Sequence, residues 1–342
     1  MDDNYFPAGE RTSTYSKSTK NDTTYKMPED GGDLSAVDEE GFYTEEIKPF
    51  RFNCQKLMSF IGPGFLMSIA YLDPGNIAGD LSAGVKGKYS LIWTLLWATI
   101  LGLYYQSMAA RIGNVTQRNL AKVCAEQFSK KTRYILWIMT ECAIIGSDIQ
   151  EVIGSATALY ILFGLPLWIG ALVTIFDSFL FLFIHYFGVR KLEGFFAFLI
   201  IIMAIAFFAN MIGSKPDYGA MLYGTIVPTI PDGSLDAALG IVGAVIMPHN
   251  LYLHSALVLT RKIDMRSKNS INEANIYNNI ESGISLFISF VISATVIATF
   301  AAYIEASPGV DDLTLLEASD ALASTFKNSA KYIWAIGLLA AG

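Results

Sequence analysis

The chain has 342 residues, 53% of them hydrophobic and only 16% charged, and its mean hydropathy is +0.41. With uncharged runs at 89–110, 194–214 and 282–304, this is the composition of a polytopic membrane protein rather than a soluble domain. The net charge of −7 belongs to a tail, because residues 1–48 hold twelve acidic residues, and it gives no support to a nucleic-acid partner.

Residues 1–47 are rich in Ser, Thr, Asp, Glu and Gly and lack a basic region followed by an apolar one, so they read as a disordered acidic tail without a signal peptide. From residue 48 onward the chain reads as one transmembrane domain with spans near 57–85, 89–112, 134–162, 166–187, 192–212, 236–260 and 277–304. Stretches at 120–128 and 311–326 carry the pattern of short helices in connecting loops. The apolar run 332–342 is too short to cross a bilayer and is expected to be an eighth span that is cut. Cys54, Cys124 and Cys142 have no paired spacing and read as free thiols.

The first span is interrupted by Ala70-Tyr71-Leu72-Asp73-Pro74-Gly75-Asn76. A carboxylate at that depth costs about 2.5–3.5 kcal/mol on insertion scales. Pro74 removes a backbone donor and Gly75 weakens the helix further. A helix broken in mid-membrane is tolerated only beside protein, water or a bound ion. The sixth span carries a matching interruption, Met247-Pro248-His249-Asn250, and both breaks share a Pro-x-Asn core after a glycine-containing apolar half-helix. Five spans separate one break from the next, so the second opens a new unit, inverted across the membrane. Paired interrupted helices point to a midplane transporter site. Two unrelated proline kinks are the bland alternative, but polar residues accompany both.

Asp73 offers a charged hard oxygen, Asn76 an amide oxygen, and the opened turns offer carbonyls such as those of Ala70 and Ala244. Met247 adds a thioether. Hard oxygens alone suit Mg²⁺ or Ca²⁺, and sulfur shifts preference toward Mn²⁺, Fe²⁺ and later transition metals; by itself a methionine is more often core filler. On the third span Glu141, Asp148 and Glu151 lie toward one side of the helix over about 15 Å. They read as a proton route, or, for Glu141 equally, as structural partners of arginines elsewhere. His249 and His254 follow the second break; one imidazole beside a cation site is a natural proton acceptor near neutral pH. Asp80, Asp177, His185 and Glu281 fall near span ends, where interfacial placement or pairing explains them.

These residues resemble the Nramp family of proton-coupled divalent-metal transporters, through the two breaks and through Gly62-Pro63-Gly64-Phe65, Gly146-Ser147-Asp148-Ile149-Gln150-Glu151-Val152-Ile153-Gly154 and Gly240-Ile241-Val242-Gly243-Ala244. The resemblance implies an all-α polytopic fold, LeuT-like, of two inverted five-helix repeats with helices 1 and 6 discontinuous. The first repeat would be about 57–212 and a partial second about 236–342. It implies metal binding by Asp73, Asn76 and Met247 with the carbonyls of Ala70 and Ala244, and proton handling by Asp73, His249, Asp148 and Glu151, with Glu141 and His254 in support. Pro74, Gly75 and Pro248 are the helix breakers. Metal ion and proton are cargo, and no resident cofactor or enzymatic activity is implied. The expected setting is a plasma, endosomal, lysosomal or vacuolar membrane.

Three rivals are weaker. A LeuT-like amino-acid carrier places the positive end of a broken helix toward a substrate carboxylate, which Asp73 would repel. A seven-span receptor needs an external N-terminus. An intramembrane hydrolase needs a nucleophile and base that no constellation supplies. Placing the N-terminus in the cytoplasm puts fifteen Lys and Arg residues inside, the distal tail omitted, against five outside. Sequons at Asn21 and Asn114 would then stay unglycosylated. Tags at residue 20 and in the 213–235 loop are accordingly expected to be labelled from opposite sides of the membrane; labelling of residue 20 from outside reverses the orientation and revives the receptor.

Overall fold

The computed structural model describes residues 49–342 apart from 61, 187–188, 262, 266, 308, 311 and 326–327. The expected tail 1–47, with Asn21, lies outside the described residues. Every regular element among the described residues is helical.

The first expected span is three helices, α1 (Cys54–Phe60), α2 (Pro63–Ala70) and α3 (Pro74–Gly87). The break before α3 is the expected one. The break between α1 and α2 is not, and it falls at Gly62, whose φ of +147° is a conformation open to glycine. A 3₁₀ turn (Lys88–Leu91) leads into α4 (Ile92–Thr116). Helix α5 (Leu120–Gln127) is capped by Asn119, whose Oδ1 accepts from Lys122 N at 2.8 Å. Helix α6 (Lys130–Phe163) ends on Gly164 at φ +69°. The chain then turns by 117° into α7 (Leu167–Tyr186), which carries Asp177 and His185.

Helix α8 (Val189–Ser214) is followed by α9 (Tyr218–Ile226), which sequence reading took as loop; Asp217 caps it, accepting from Gly219 N and Ala220 N. The sixth span is α10 (Leu235–Val245) and α11 (Pro248–Leu257), extended by a 3₁₀ turn to Thr260. Helix α12 (Lys268–Ala306) has 39 residues and starts nine residues before the expected span. Helix α13 (Leu315–Thr325) opens on a capping box in which Thr314 N donates to Glu317 Oε2 at 2.9 Å and Glu317 N donates to Thr314 Oγ1 at 3.3 Å. The Thr314 donors hold the Glu317 carboxyl below the usual carboxylate range. Helix α14 (Asn328–Ala341) ends the chain.

By length and composition, Gly194–Ser214, Leu235–Thr260 and Lys268–Ala306 are apolar enough to cross a membrane, and the bent pair α6–α7 makes a fourth. Helix α12 is the common support, packing against α1, α2, α3, α4, α8 and α13, and its residues 292–304 are all buried. Trp334 of α14 sits edge-on to Phe300 of α12 at 5.2 Å and beside Phe207 of α8. Elsewhere the helices close on glycine, as membrane helices do. A Cβ on Gly84 of α3 would lie 2.6 Å from the Ile297 carbonyl oxygen of α12.

That contact is backbone on backbone, so Gly84→Leu is expected to cost on the order of 1–3 kcal/mol by overpacking. The check is thermal unfolding in detergent beside Gly194→Ala, where a Cβ meets nothing within 4 Å. Equal melting temperatures for the two variants contradict a rigid α3–α12 contact.

Candidate functional site

At the first break the chain leaves the helix after Ala70 and re-enters at Pro74. Asp73 is the N-cap of α3, with φ −64° and ψ 162°, and its Oδ1 accepts from Asn76 N at 2.7 Å. Its Oδ2 accepts from Ser147 Oγ of α6 at 3.1 Å. The Asn76 side chain spans the gap, donating from Nδ2 to the Ala70 carbonyl at 3.3 Å and keeping its amide oxygen for another partner. Gly75 lets the Gln150 side chain lie against the break, since a Cβ there would lie 1.9 Å from Gln150 Oε1 and would turn that side chain away.

At the second break Met247 is the N-cap of α11 without a side-chain cap bond, and its sulfur accepts from Asn250 Nδ2 at 3.5 Å. The two prolines do the same work. In an α-helix the N–H of residue i serves the carbonyl of i−4, and proline has none. Pro74 therefore withdraws the partner of Ala70, and Pro248 withdraws the partner of Ala244. Each break frees one of the two carbonyls that the sequence marked.

Two neighbouring cavities lie against the breaks. One, of about 330 Å³, is lined by Ala70, Asp73, Asp148, Glu151 and Asn250 among others. The other, of about 420 Å³, is lined by Asn76, Gln150, Ala244, Met247 and Pro248 among others. Ser147 and His249 line both. The cavities thus bring together Asp73, Asn76, Met247, Ala70, Ala244, His249, Asp148 and Glu151, with the acids on one side and the thioether on the other.

Ser147 and Gln150 escaped sequence reasoning. Their signal was positional. Ser147, Gln150, Glu151 and Gly154 recur at offsets of three, four and seven, so one face of α6 is turned to the first break. Gly154 lets that face approach, since its Cβ would lie 2.2 Å from Pro74 Cβ.

Glu141 does not join the site. Ten residues at 100° each leave it about 80° from Glu151 around the helix. It is exposed and accepts from Trp137 Nε1 at 2.8 Å. His254 is fully buried behind the site, with its Nδ1 3.2 Å from Gln106 Nε2. Gln106 Oε1 in turn accepts from the Tyr71 hydroxyl at 3.4 Å, which ties α11 and α4 to the first break. Asp80 and Glu281, expected at interfaces, are both buried, at 4% and 0% exposure. The helices run deeper past them than the hydropathy boundaries implied. Among the described residues no three His, Cys, Asp or Glu side chains converge as at a resident metal centre.

The family described as natural resistance-associated macrophage protein-like (Nramp) matches residues 64–342. The chain is 50% identical over 294 residues to the metal transporter nramp1 homolog of Dictyostelium discoideum, covering 85% of this chain and 54% of that protein. It is 48% identical over 319 residues to natural resistance-associated macrophage protein 2 of Mus musculus, covering 85% and 56%. The chain thus spans little more than half the length of these relatives. Among solved structures, a mutant of the manganese transporter of Eremococcus coleocola superposes with a TM-score of 0.77 at 32% identity, covering 87% of this chain and 64% of that one. The same transporter in complex with an aromatic bis-isothiourea substituted compound gives 0.74 at 30%, covering 86% and 64%. The chain shares the all-α, LeuT-like fold of that transporter.

Proposed function

Since the chain belongs to the Nramp family, we propose that its two broken helices form a midplane site for a divalent transition-metal ion, of the Mn²⁺ or Fe²⁺ class, carried across a membrane with protons. The observation that carries this reading is the pairing of breaks. Each proline frees the carbonyl four residues earlier, and each freed carbonyl borders a cavity that also holds a polar or sulfur side chain. Asp73 supplies the charge, Asn76 and the Ala70 and Ala244 carbonyls supply neutral oxygens, and Met247 supplies sulfur. Mixed hard and soft donors suit Mn²⁺ and Fe²⁺ better than Ca²⁺ or Mg²⁺.

Protons are handled in this reading by Asp73, His249, Asp148 and Glu151, which face one cavity with Ala70. Glu141 and His254 lie outside both cavities and take no direct part. The site would lie between an inverted repeat of about 57–212 and a second beginning near 236, with the N-terminus in the cytoplasm. The membrane would be the plasma, endosomal, lysosomal or vacuolar one.

Two outcomes follow from this site. Mn²⁺ or Fe²⁺ uptake is expected to rise as external pH falls from neutral to about 5.5, the range in which an imidazole changes charge. His249→Ala and Glu151→Gln are expected to flatten that profile or uncouple proton entry from metal entry; an unchanged profile and unchanged proton flux in both variants remove them from the route. Met247→Ala is expected to retain part of the Mn²⁺ uptake while Ca²⁺ competes better, because the thioether carries no charge but favours softer ions. Asp73→Ala is expected to abolish uptake of both. Uptake per surface copy is the measurement, and a Mn²⁺-to-Ca²⁺ ratio unmoved in Met247→Ala assigns that side chain to packing alone.

A further inference from the structure

Helix α12 meets the first broken helix along one winding ridge, at every fourth residue from 273 to 289. Glu273 pairs with Lys56 at 2.9 Å. Tyr277 is fully buried; its hydroxyl accepts from Asn53 N at 2.9 Å, and its ring stacks on Phe60 with centroids 5.4 Å apart. Glu281, also fully buried, accepts at Oε1 from Gly62 N at 2.5 Å and from Gly64 N at 3.0 Å. The Ser285 hydroxyl oxygen lies 3.2 Å from where a Gly64 Cβ would stand. Ser289 Oγ donates to the Ser68 carbonyl at 3.4 Å. Residues four apart are neighbours on a helix and successive pairs make an inclined ridge, so these contacts form one seam that winds about α12.

Within that seam the Gly62-Pro63-Gly64 turn is shaped to receive a carboxylate. Gly62 takes the φ of +147° that aims its N–H. Pro63 has no N–H, so the two donors at Gly62 and Gly64 flank a position that cannot donate. Gly64 has no Cβ, which would lie 3.1 Å from Glu281 Cδ. A carboxylate on the first amides of a helix also answers its unpaired donors and its positive end. The other half-helix is held differently: α3 meets α12 mainly through apolar side chains, with one polar contact from Asp80 to Ser293, and through the Gly84 approach to backbone. From Gly64 to Ala70 is about 9 Å of helix at 1.5 Å per residue. The place of α2 therefore sets the place of the Ala70 carbonyl, and Asp73 follows three residues later.

We propose that Glu281 is a positioning residue of the site. It holds α2 through the Gly62 and Gly64 amides and thereby holds the Ala70 carbonyl and Asp73, and loss of those two hydrogen bonds frees α1–α2 from α12. The effect on cargo rests on the metal-transport reading; the hold on α2 does not.

The test uses the full protein in membranes, with Ser68→Cys as reporter and other cysteines replaced. Ser68 is 1% exposed. Reaction with an impermeant maleimide from the face that carries Lys56 is expected to be slow with Glu281 present and roughly tenfold faster in Glu281→Ala, a change of the size that losing one charge-assisted hydrogen bond produces. Glu281→Gln keeps an acceptor oxygen and is expected to lie between them; it also serves as the test should Glu281→Ala fail to reach the membrane. In the same variants the KM for Mn²⁺ is expected to rise several-fold while the maximal rate per surface copy moves less, with Gln restoring part of the KM. Labelling in Glu281→Ala, or in Glu281→Gln where Ala is not expressed, at the parent rate overturns the proposal. So does a fall in maximal rate at unchanged KM, which is what a folding role alone predicts. Labelling needs no cargo, so absence of Mn²⁺ uptake in the parent protein would sink the transport reading and leave the labelling result standing.

Discussion

A backbone carbonyl that loses its helical donor inside a membrane has no water to turn to, and the arrangement of this molecule follows from that constraint. Pro74 and Pro248 each take away one donor, from Ala70 and from Ala244. At the first break the Asn76 amide answers part of the debt, reaching back to Ala70 at 3.3 Å. Asp73 answers the other side of the gap by capping α3 at 2.7 Å. What the protein leaves unanswered is a set of oxygens with negative ends turned to a cavity. In the proposed reading, a local defect that costs stability in a helix is what gives a cation a reason to enter.

Such breaks persist because the rest of the chain closes around them. Helix α6 turns the face containing Ser147, Gln150, Glu151 and Gly154 to the first break, and Gly154 is what lets it come close. Behind the second break, His254, Gln106 and Tyr71 join α11, α4 and the first break in one chain of polar contacts. Helix α12 supports both halves of the first broken helix, but in two manners. Toward residue 268 its contacts are largely polar and aromatic; toward residue 306 they are mainly apolar, with Gly84 set against its backbone and Asp80 bonded to Ser293. Charge-assisted bonds are strong but specific in direction, and a small rotation breaks them. An interlocked apolar face loses contact more gradually.

Much of this was legible in the sequence. Both breaks, the residues around them and Asp148 and Glu151 stand out because charge, proline and glycine are costly in apolar helices. The break at Gly62 did not stand out: one glycine beside a proline in an apolar run is also how a helix begins. Helix α9 was missed because a nine-residue helix between spans has too few turns to show a period. Glu281 was placed at a span end because hydropathy reads an average and cannot see a 39-residue helix carrying a buried acid below its apolar run, and Asp80 because it stands in the short half-helix α3, near the expected end of the first span. Glu141, for which a structural role stood equally open, falls away from the break for a geometric reason: the 3.6-residue period drifts against its ten-residue separation from Glu151. Ser147 was passed over because a serine in a helix is cheap and common. Its use appears only when Gly154 and Pro74 are seen in contact.

The carboxylate at the centre is set before any cation arrives. Asp73 holds one hydrogen bond on each oxygen, from Asn76 N and from Ser147 Oγ, so its rotamer is chosen by the protein. Each oxygen retains acceptor capacity for a further partner. Little side-chain entropy is then left to lose on binding. In the proposed reading the same bonds limit affinity for the cation. The N-terminus of α3 places partial positive charge beside the carboxylate, which compensates it when the site is empty and opposes a cation when it is filled. In that reading Asp73 supplies the charge at the breaks, neutral oxygens and one sulfur complete the donor set, and Asp148 and Glu151 line the same cavity beyond it. A carrier must release what it binds, and in the proposed reading an acid already compensated by a helix end meets that condition.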